Sequence, residues 1–328
     1  MNIQYSSHFA PHIEGLIEQK RMMGYPYNSS AWVLKHFDIH CRTLYSDEKA
    51  LNREIVMSWC ALKDGEHQNG LMRRVTPVRQ LAKYMNSIGL EAYIAPNDIP
   101  SKQIRYIPHI FTKKELSAFF KSADNPPPIA GKVRNSTRDL VLPVIFRVMY
   151  CCGLRKGETL NLQVSDVDLE KGSLLIKDSK EYKSRIVYMS DDVSALCRRF
   201  DQKVREIFPT RQAFFPNING LRISSCVLGL WFHLIWDDLP ESKTSIGSPA
   251  RIHDFRHTFA VNRLNRWIIE GKNIDACVQY LGQYMGHTLF ESTDYYLHLV
   301  KEFMPEVKNK LAAISNKIIP EAEYEDWQ

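Results

Sequence analysis

Uninterrupted apolar runs and paired cysteines are both scarce in this chain. The most apolar stretch, LVLPVIFRVMYCCGL, contains Pro143 and Arg147 and is too short to span a bilayer, so no membrane segment is expected. The seven cysteines are scattered, odd in number and without a CxxC pair, which speaks against a disulfide framework and for a reduced, cytoplasmic protein. The opening residues MNIQYSSHFAPHIEG lack the charged-then-apolar layout of a signal peptide. Internal repeats and low-complexity tracts are missing too. Neither charge sign dominates: 43 basic against 37 acidic residues leave a net charge of +6, which permits nucleic acid as a partner without demanding it. What remains is an ordinary globular composition, 44% apolar and 24% charged, in 328 residues, enough for two domains with separate cores.

Apolar periodicity predicts a helical N-terminal domain over residues 1–95. Asn28, Ser29 or Ser30 can cap a helix carrying Leu34, Phe37, Cys41 and Leu44 on one face. Leu51, Ile55, Trp59 and Leu62 make a second stripe. Leu71, Val75, Val78, Leu81, Met85 and Ile88 make a third, closed by Gly89 at a C′ position. The other faces of this third helix carry Arg73, Arg74, Arg79 and Lys83, a row that is either a solvated face or a surface for phosphates. Residues 96–111 read as a linker, broken by Pro96, Pro100 and Pro108 and carrying Lys102 and Arg105. Thr112 to Glu115 form a capping box that opens the second domain, residues 112–300. A long apolar helix is predicted over Thr137–Cys152 and ends at Gly153. SLLIK (173–177) and RIVYM (185–189) are β-rich runs around the polar turn DSKEYKS. Helices then resume, and residues 301–328 form a tail. The fold class expected is mainly α with a small antiparallel β-sheet.

The chemistry concentrates between Arg251 and His298. His253, Arg256 and His257 at i, i+3 and i+4 share one face of a helix starting near Ile252. Gly286-His287 and Tyr296 follow, and Arg155 in GLRKGE lies upstream. The HxxxH spacing of His253 and His257 resembles a zinc-protease motif, but Asp254 is a methylene shorter than the required glutamate. Arg256 would also bring a fixed charge toward the metal, so no metal is expected.

The ordered set GLRKGE, hairpin lysine, HDFRH, GH and Y-x-H resembles the catalytic domain of the tyrosine recombinase (phage integrase) family over residues from about Thr112 to Val300. The N-terminal helices resemble that family's core-binding, DNA-binding domain through far weaker motifs. The resemblance implies that Arg155 is the first catalytic arginine and Glu158 its buried support. It matches Lys180 to the hairpin lysine, His253 and Arg256 to the HxxR pair, His287 to the histidine of the box, and Tyr296 to the nucleophile. This box reads MGH where LGH is usual, and YMSDD stands where V-P-L is more usual. The resemblance further implies double-stranded DNA as partner, a homo-tetramer on DNA, sister recombinases or accessory DNA-bending proteins, no cofactor, and a nucleoid-associated location. Its tail after Val300 would dock either on a neighbouring protomer or within its own chain.

These side chains suit that chemistry. Two arginines can bind the non-bridging oxygens of a phosphodiester through forked donors and stabilise charge that grows during attack. A tyrosine hydroxyl with a pKa near 10 must lose its proton as it attacks, and His253 is a suitable acceptor. The departing 5′ oxygen needs a proton, which a lysine on the hairpin turn can deliver. Lys177, Lys180 and Lys183 all lie near that turn, with Lys180 closest to it. Tyr295 competes with Tyr296, which the Y-x-H spacing favours, and His257 is expected to pack behind the site. The function expected is cutting and rejoining of DNA through a 3′-phosphotyrosyl link for a phage or other mobile element. A type IB topoisomerase and a catalytically silent DNA-binding accessory protein are the alternatives.

Overall fold

Four of the helices begin in the same way. Asn52, Thr112, Ser224 and Asn273 each accept, through a side-chain oxygen, the backbone N–H three residues on, and so satisfy a donor that the first turn leaves unpaired. The computed structural model in which these caps are seen describes residues 3–99, 107–128, 136–177, 184–244 and 249–286. The chain divides into two compact units that meet in sequence between Tyr106 and Ile107.

The first unit holds α1 (Ala10–Met22), α2 (Asn28–Leu44), α3 (Arg53–Cys60) and α4 (Gln68–Ser87). Ile13, Leu16, Leu34, Phe37, Ile55, Trp59, Val75, Val78 and Leu81 interdigitate in its core. Buried Asp38 of α2 accepts the backbone N–H groups of Ser6 and Ser7 and pairs with Lys35, tying down the chain ahead of α1. Three expectations change. Tyr27, in the left-handed region at φ 53°, precedes α2, and no side chain caps it. Leu62 lies past the end of α3 and is exposed, because the helix stops at Cys60. Ile88 is the exposed C-cap of α4 and not part of its buried stripe, while Gly89 at φ 85° makes the left-handed turn after it.

The second unit is mainly helical with one small sheet. Its elements are α5 (Lys113–Asp124), α6 (Ser136–Cys151), α7 (Lys156–Asn161), β1 (Val167–Asp168), β2 (Ser173–Ile176) and β3 (Arg185–Tyr188). They are followed by α8 (Asp191–Ile207), α9 (Ser225–Trp236), α10 (Pro240–Thr244), α11 (Asp254–Ile269) and α12 (Ile274–Met285). The capping box of Thr112 and Glu115 is formed in full at α5. The three strands run antiparallel in the order β1-β2-β3, with Leu174 opposite Val187 and Ile176 opposite Arg185. Alternation turns Leu174, Ile176 and Val187 into the core and Leu175, Ile186 and Tyr188 outward. Phe119, Phe146, Phe232 and Phe255 stack edge-to-face or tilted at the centre and lock α5, α6, α9 and α11 together. A separate apolar seam of Phe259, Leu264, Val278, Leu281 and Met285 packs α12 on α11, which fixes where α12 ends. No helix among the described residues is long and apolar enough to cross a membrane.

Candidate active site

The site is assembled around the end of α12. A helix leaves its last four carbonyls without intrahelical partners and carries partial negative charge there. Here Gly286, left-handed at φ 67°, turns its N–H back to the carbonyls of Gly282 and Gln283. The next three carbonyls are each taken by an arginine from a different element. Arg185 Nε donates to Tyr284 O at 2.8 Å, Arg256 Nη2 to Met285 O at 2.5 Å, and Arg155 Nη2 to Gly286 O at 2.9 Å. Arg256 is 1% exposed and also donates through Nη1 to Gly153 O at 2.7 Å. Gly153 holds a positive φ, and a Cβ there would strike the Phe259 ring at 2.5 Å, so glycine is required at that turn.

Glu158 is the anionic centre of this cluster, its side chain 6% exposed. Oε1 accepts from Arg155 Nη1 at 2.7 Å and Arg185 Nη1 at 2.9 Å. Oε2 accepts from the Arg155 backbone N–H and Arg185 Nη2, both at 2.9 Å, with Arg256 Nη1 at 3.9 Å. Burial alone would disfavour the carboxylate, but the Arg185 fork and charge, the Arg155 N–H and Arg256 overcome it and hold Glu158 down at about 2. Three guanidiniums against one carboxylate leave a surplus of two positive charges. That surplus is suited to a phosphodiester whose negative charge rises on attack.

His253 is the residue ahead of α11, and its ring meets that of His257 edge-on at 4.9 Å. Burial, then the charges of Arg256, Arg155 and Arg251, lower its pKa to about 4. A neutral imidazole beside the arginines can accept a proton at physiological pH.

The structure therefore brings Arg155, Glu158, His253 and Arg256 together from α7, the turn before it and the start of α11. Lys180, His287 and Tyr296, with the competing Lys183 and Tyr295 and the linker residues Lys102 and Arg105, lie outside the described residues. So does the tail, 301–328. Lys177 is described, and its ammonium pairs with buried Asp166. Among the described residues no group of histidine, cysteine and acidic side chains is placed to hold a metal.

The basic row of α4 divides. Arg74 turns inward to Glu66, the carbonyls of Trp59 and Ala61, and the Trp59 ring, 4.9 Å away. Arg79 spends its guanidinium on the carbonyls of Ala95, Pro96 and Ile99. Reading four cations as one solvent-facing row is thereby corrected: Arg74 and Arg79 are staples, and Arg73 and Lys83 are the exposed members. In sequence RIVYM reads only as a strand, which assigns Arg185 no place in the site. The signal was available, since alternation puts Arg185 on the inward face with Val187.

Comparison with known proteins gives a consistent picture. The family model described as the phage integrase family matches residues 110–302. The y4rE protein of Sinorhizobium fredii, described as an integrase/recombinase, is 28% identical over 291 residues, covering 87% of this chain and 90% of that protein. Tyrosine recombinase XerA of Saccharolobus solfataricus is 26% identical over 190 residues, 58% of this chain and 57% of that one. Among solved structures, the Tn1549 transposon integrase in complex with a circular intermediate DNA shares the fold. Its TM-score is 0.62 at 14% identity, covering 87% of this chain and 94% of that one.

Proposed function

Because this chain belongs to the phage integrase family, we propose that it is a tyrosine-type site-specific DNA recombinase serving a phage or other mobile element. In this proposal Tyr296 attacks a phosphodiester of double-stranded DNA, forming a 3′-phosphotyrosyl bond and releasing a free 5′ hydroxyl. A partner strand's 5′ hydroxyl then attacks that bond, restoring the backbone and freeing the tyrosine. The bond energy is retained throughout, so the cycle needs no nucleotide cofactor.

The observation that carries this reading is the cationic cluster at the end of α12, with the uncharged imidazole of His253 beside it. Arg155 and Arg256 bind the non-bridging oxygens, Arg155 oriented by Glu158 and Arg256 by the carbonyls of Gly153 and Met285, and His253 takes the phenolic proton. His287, the residue after Gly286 in sequence, is proposed as a further catalytic histidine. Lys180 protonates the leaving oxygen; the engagement of Lys177 with Asp166 supports the choice of a lysine nearer the turn. A homo-tetramer on paired DNA sites, with or without sister recombinases or DNA-bending proteins, is the assembly proposed. Arg73 and Lys83 are proposed to meet phosphates in the N-terminal unit.

A suicide substrate nicked near the cleavage position tests this. Wild type should yield a denaturation-resistant protein–DNA adduct, and Tyr296→Phe should bind the same DNA yet form none. If Tyr295→Phe alone abolishes the adduct, the nucleophile is misassigned; if wild type forms none, the protein is a binding module. A plasmid bearing paired sites separates recombination from supercoil relaxation without strand exchange.

A further inference from the structure

No step of the strand transfer above uses Arg185, yet its guanidinium engages both Glu158 and the end of α12. Its guanidinium forks onto both oxygens of Glu158 at 2.9 Å, and its Nε donates to Tyr284 O at 2.8 Å. Glu158 Oε1 is shared: Arg155 Nη1 approaches the same atom at 2.7 Å. A planar fork fits a carboxylate in one orientation, so the position of Glu158, and through it that of Arg155, is set by Arg185. The side chain lies in a tight slot, because a Cβ on Gly286 would sit 2.9 Å from its Nη1. It is also the first residue of β3, the strand that follows Lys180 and Lys183 in sequence.

We propose that Arg185 is a positioning residue for strand cleavage, holding Glu158 and the last turn of α12 so that Arg155 presents its guanidinium to the scissile phosphate. This rests on the strand-transfer reading above. Without Arg185, Glu158 keeps Arg155 as its principal partner and draws that guanidinium inward, away from the substrate. Arg155 then neutralises a buried carboxylate when it should be neutralising the phosphate. A loss of this origin scales with the charge the substrate brings. It shrinks when the scissile phosphate is replaced by an uncharged methylphosphonate, which needs less cationic stabilisation.

The test is single-turnover cleavage of nicked suicide substrates by wild type, Arg185→Gln and Arg185→Lys, with either a phosphate or a methylphosphonate at the scissile position. On phosphate, Arg185→Gln should cleave about 100-fold more slowly than wild type, as displaced catalytic groups do, with DNA affinity unchanged. Arg185→Lys, which keeps the charge but not the fork, should fall between. On methylphosphonate the gap between either variant and wild type should narrow to about tenfold or less. An equal gap on both substrates, or no gap on phosphate, overturns the proposal. Should Arg185→Gln fail to fold by circular dichroism, the same criterion applies to Arg185→Lys. If wild type itself forms no adduct on phosphate, the strand-transfer reading falls and takes this inference with it, an outcome distinct from an equal gap.

Discussion

Glu158 sits among four donors and beside a third guanidinium, so its ionised form is the only one that the site accommodates well. Glu158→Gln keeps the shape but turns one acceptor oxygen into a donor facing Arg155 and Arg185. The expected cost is on the order of 3 kcal/mol of folding stability at neutral pH, the scale for breaking a buried ion pair, measurable by denaturant titration. Its pH dependence follows from the depressed pKa. The contribution of Glu158 is complete above the ordinary carboxylate range and fades as pH falls toward about 2, so the gap between wild type and variant should close over that interval. His253 behaves differently because burial and the arginines keep it uncharged down to about 4 in the free protein. A bound phosphodiester offsets those arginines and raises it. The acid limb of single-turnover cleavage should therefore lie between about 4 and the ordinary histidine value, and His253→Gln should remove it. A limb unaffected by that substitution would assign the proton to another group.

At the scale of elements, the end of α12 does two jobs with one set of groups. The carbonyls that any helix leaves unsatisfied are satisfied here by Arg155, Arg185 and Arg256, so helix termination and placement of positive charge are the same event. Gly286→Ala tests this. A side chain at φ 67° costs roughly 1 kcal/mol, and its Cβ presses on Arg185. Adduct formation should fall well beyond what that small stability loss explains, while DNA binding persists. Much of this architecture was legible in the sequence wherever a local rule governs: the Thr112–Glu115 box, strands β2 and β3, the α4 stripe from Leu71 to Met85, and His253 with Arg256 at the head of α11. What could not be read locally was where a long side chain would turn. Arg73 and Arg74 are neighbours in sequence, yet one is exposed and the other folds onto Glu66 and Trp59, contacts set by how α3 and α4 pack. Arg185 was hidden in the same way, since its partners Glu158 and Tyr284 are 27 and 99 residues distant.

For the molecule as a whole, net charge is a poor guide to DNA binding, and the sorting of individual cations matters more. Neutralising Arg73 and Lys83 together should weaken binding across sequences and lower the salt slope by about one per residue, leaving the melting temperature unchanged. Arg74→Ala should do the reverse, lowering the melting temperature through lost packing and leaving the slope intact. Salt titrations and thermal melts on the same variants separate the two, and an unchanged slope for the double variant would make Arg73 and Lys83 merely a solvated face. The central claim is that a phenol becomes bonded to the DNA backbone in a site whose charge is supplied by arginines. Its most direct test is to trap the adduct on a nicked substrate, digest it with protease and nuclease, and locate the nucleotide by fragmentation mass spectrometry. A 3′-phosphoryl nucleotide on Tyr296 is the result expected. Attachment to any other residue, or intact DNA with no modified peptide, would contradict it.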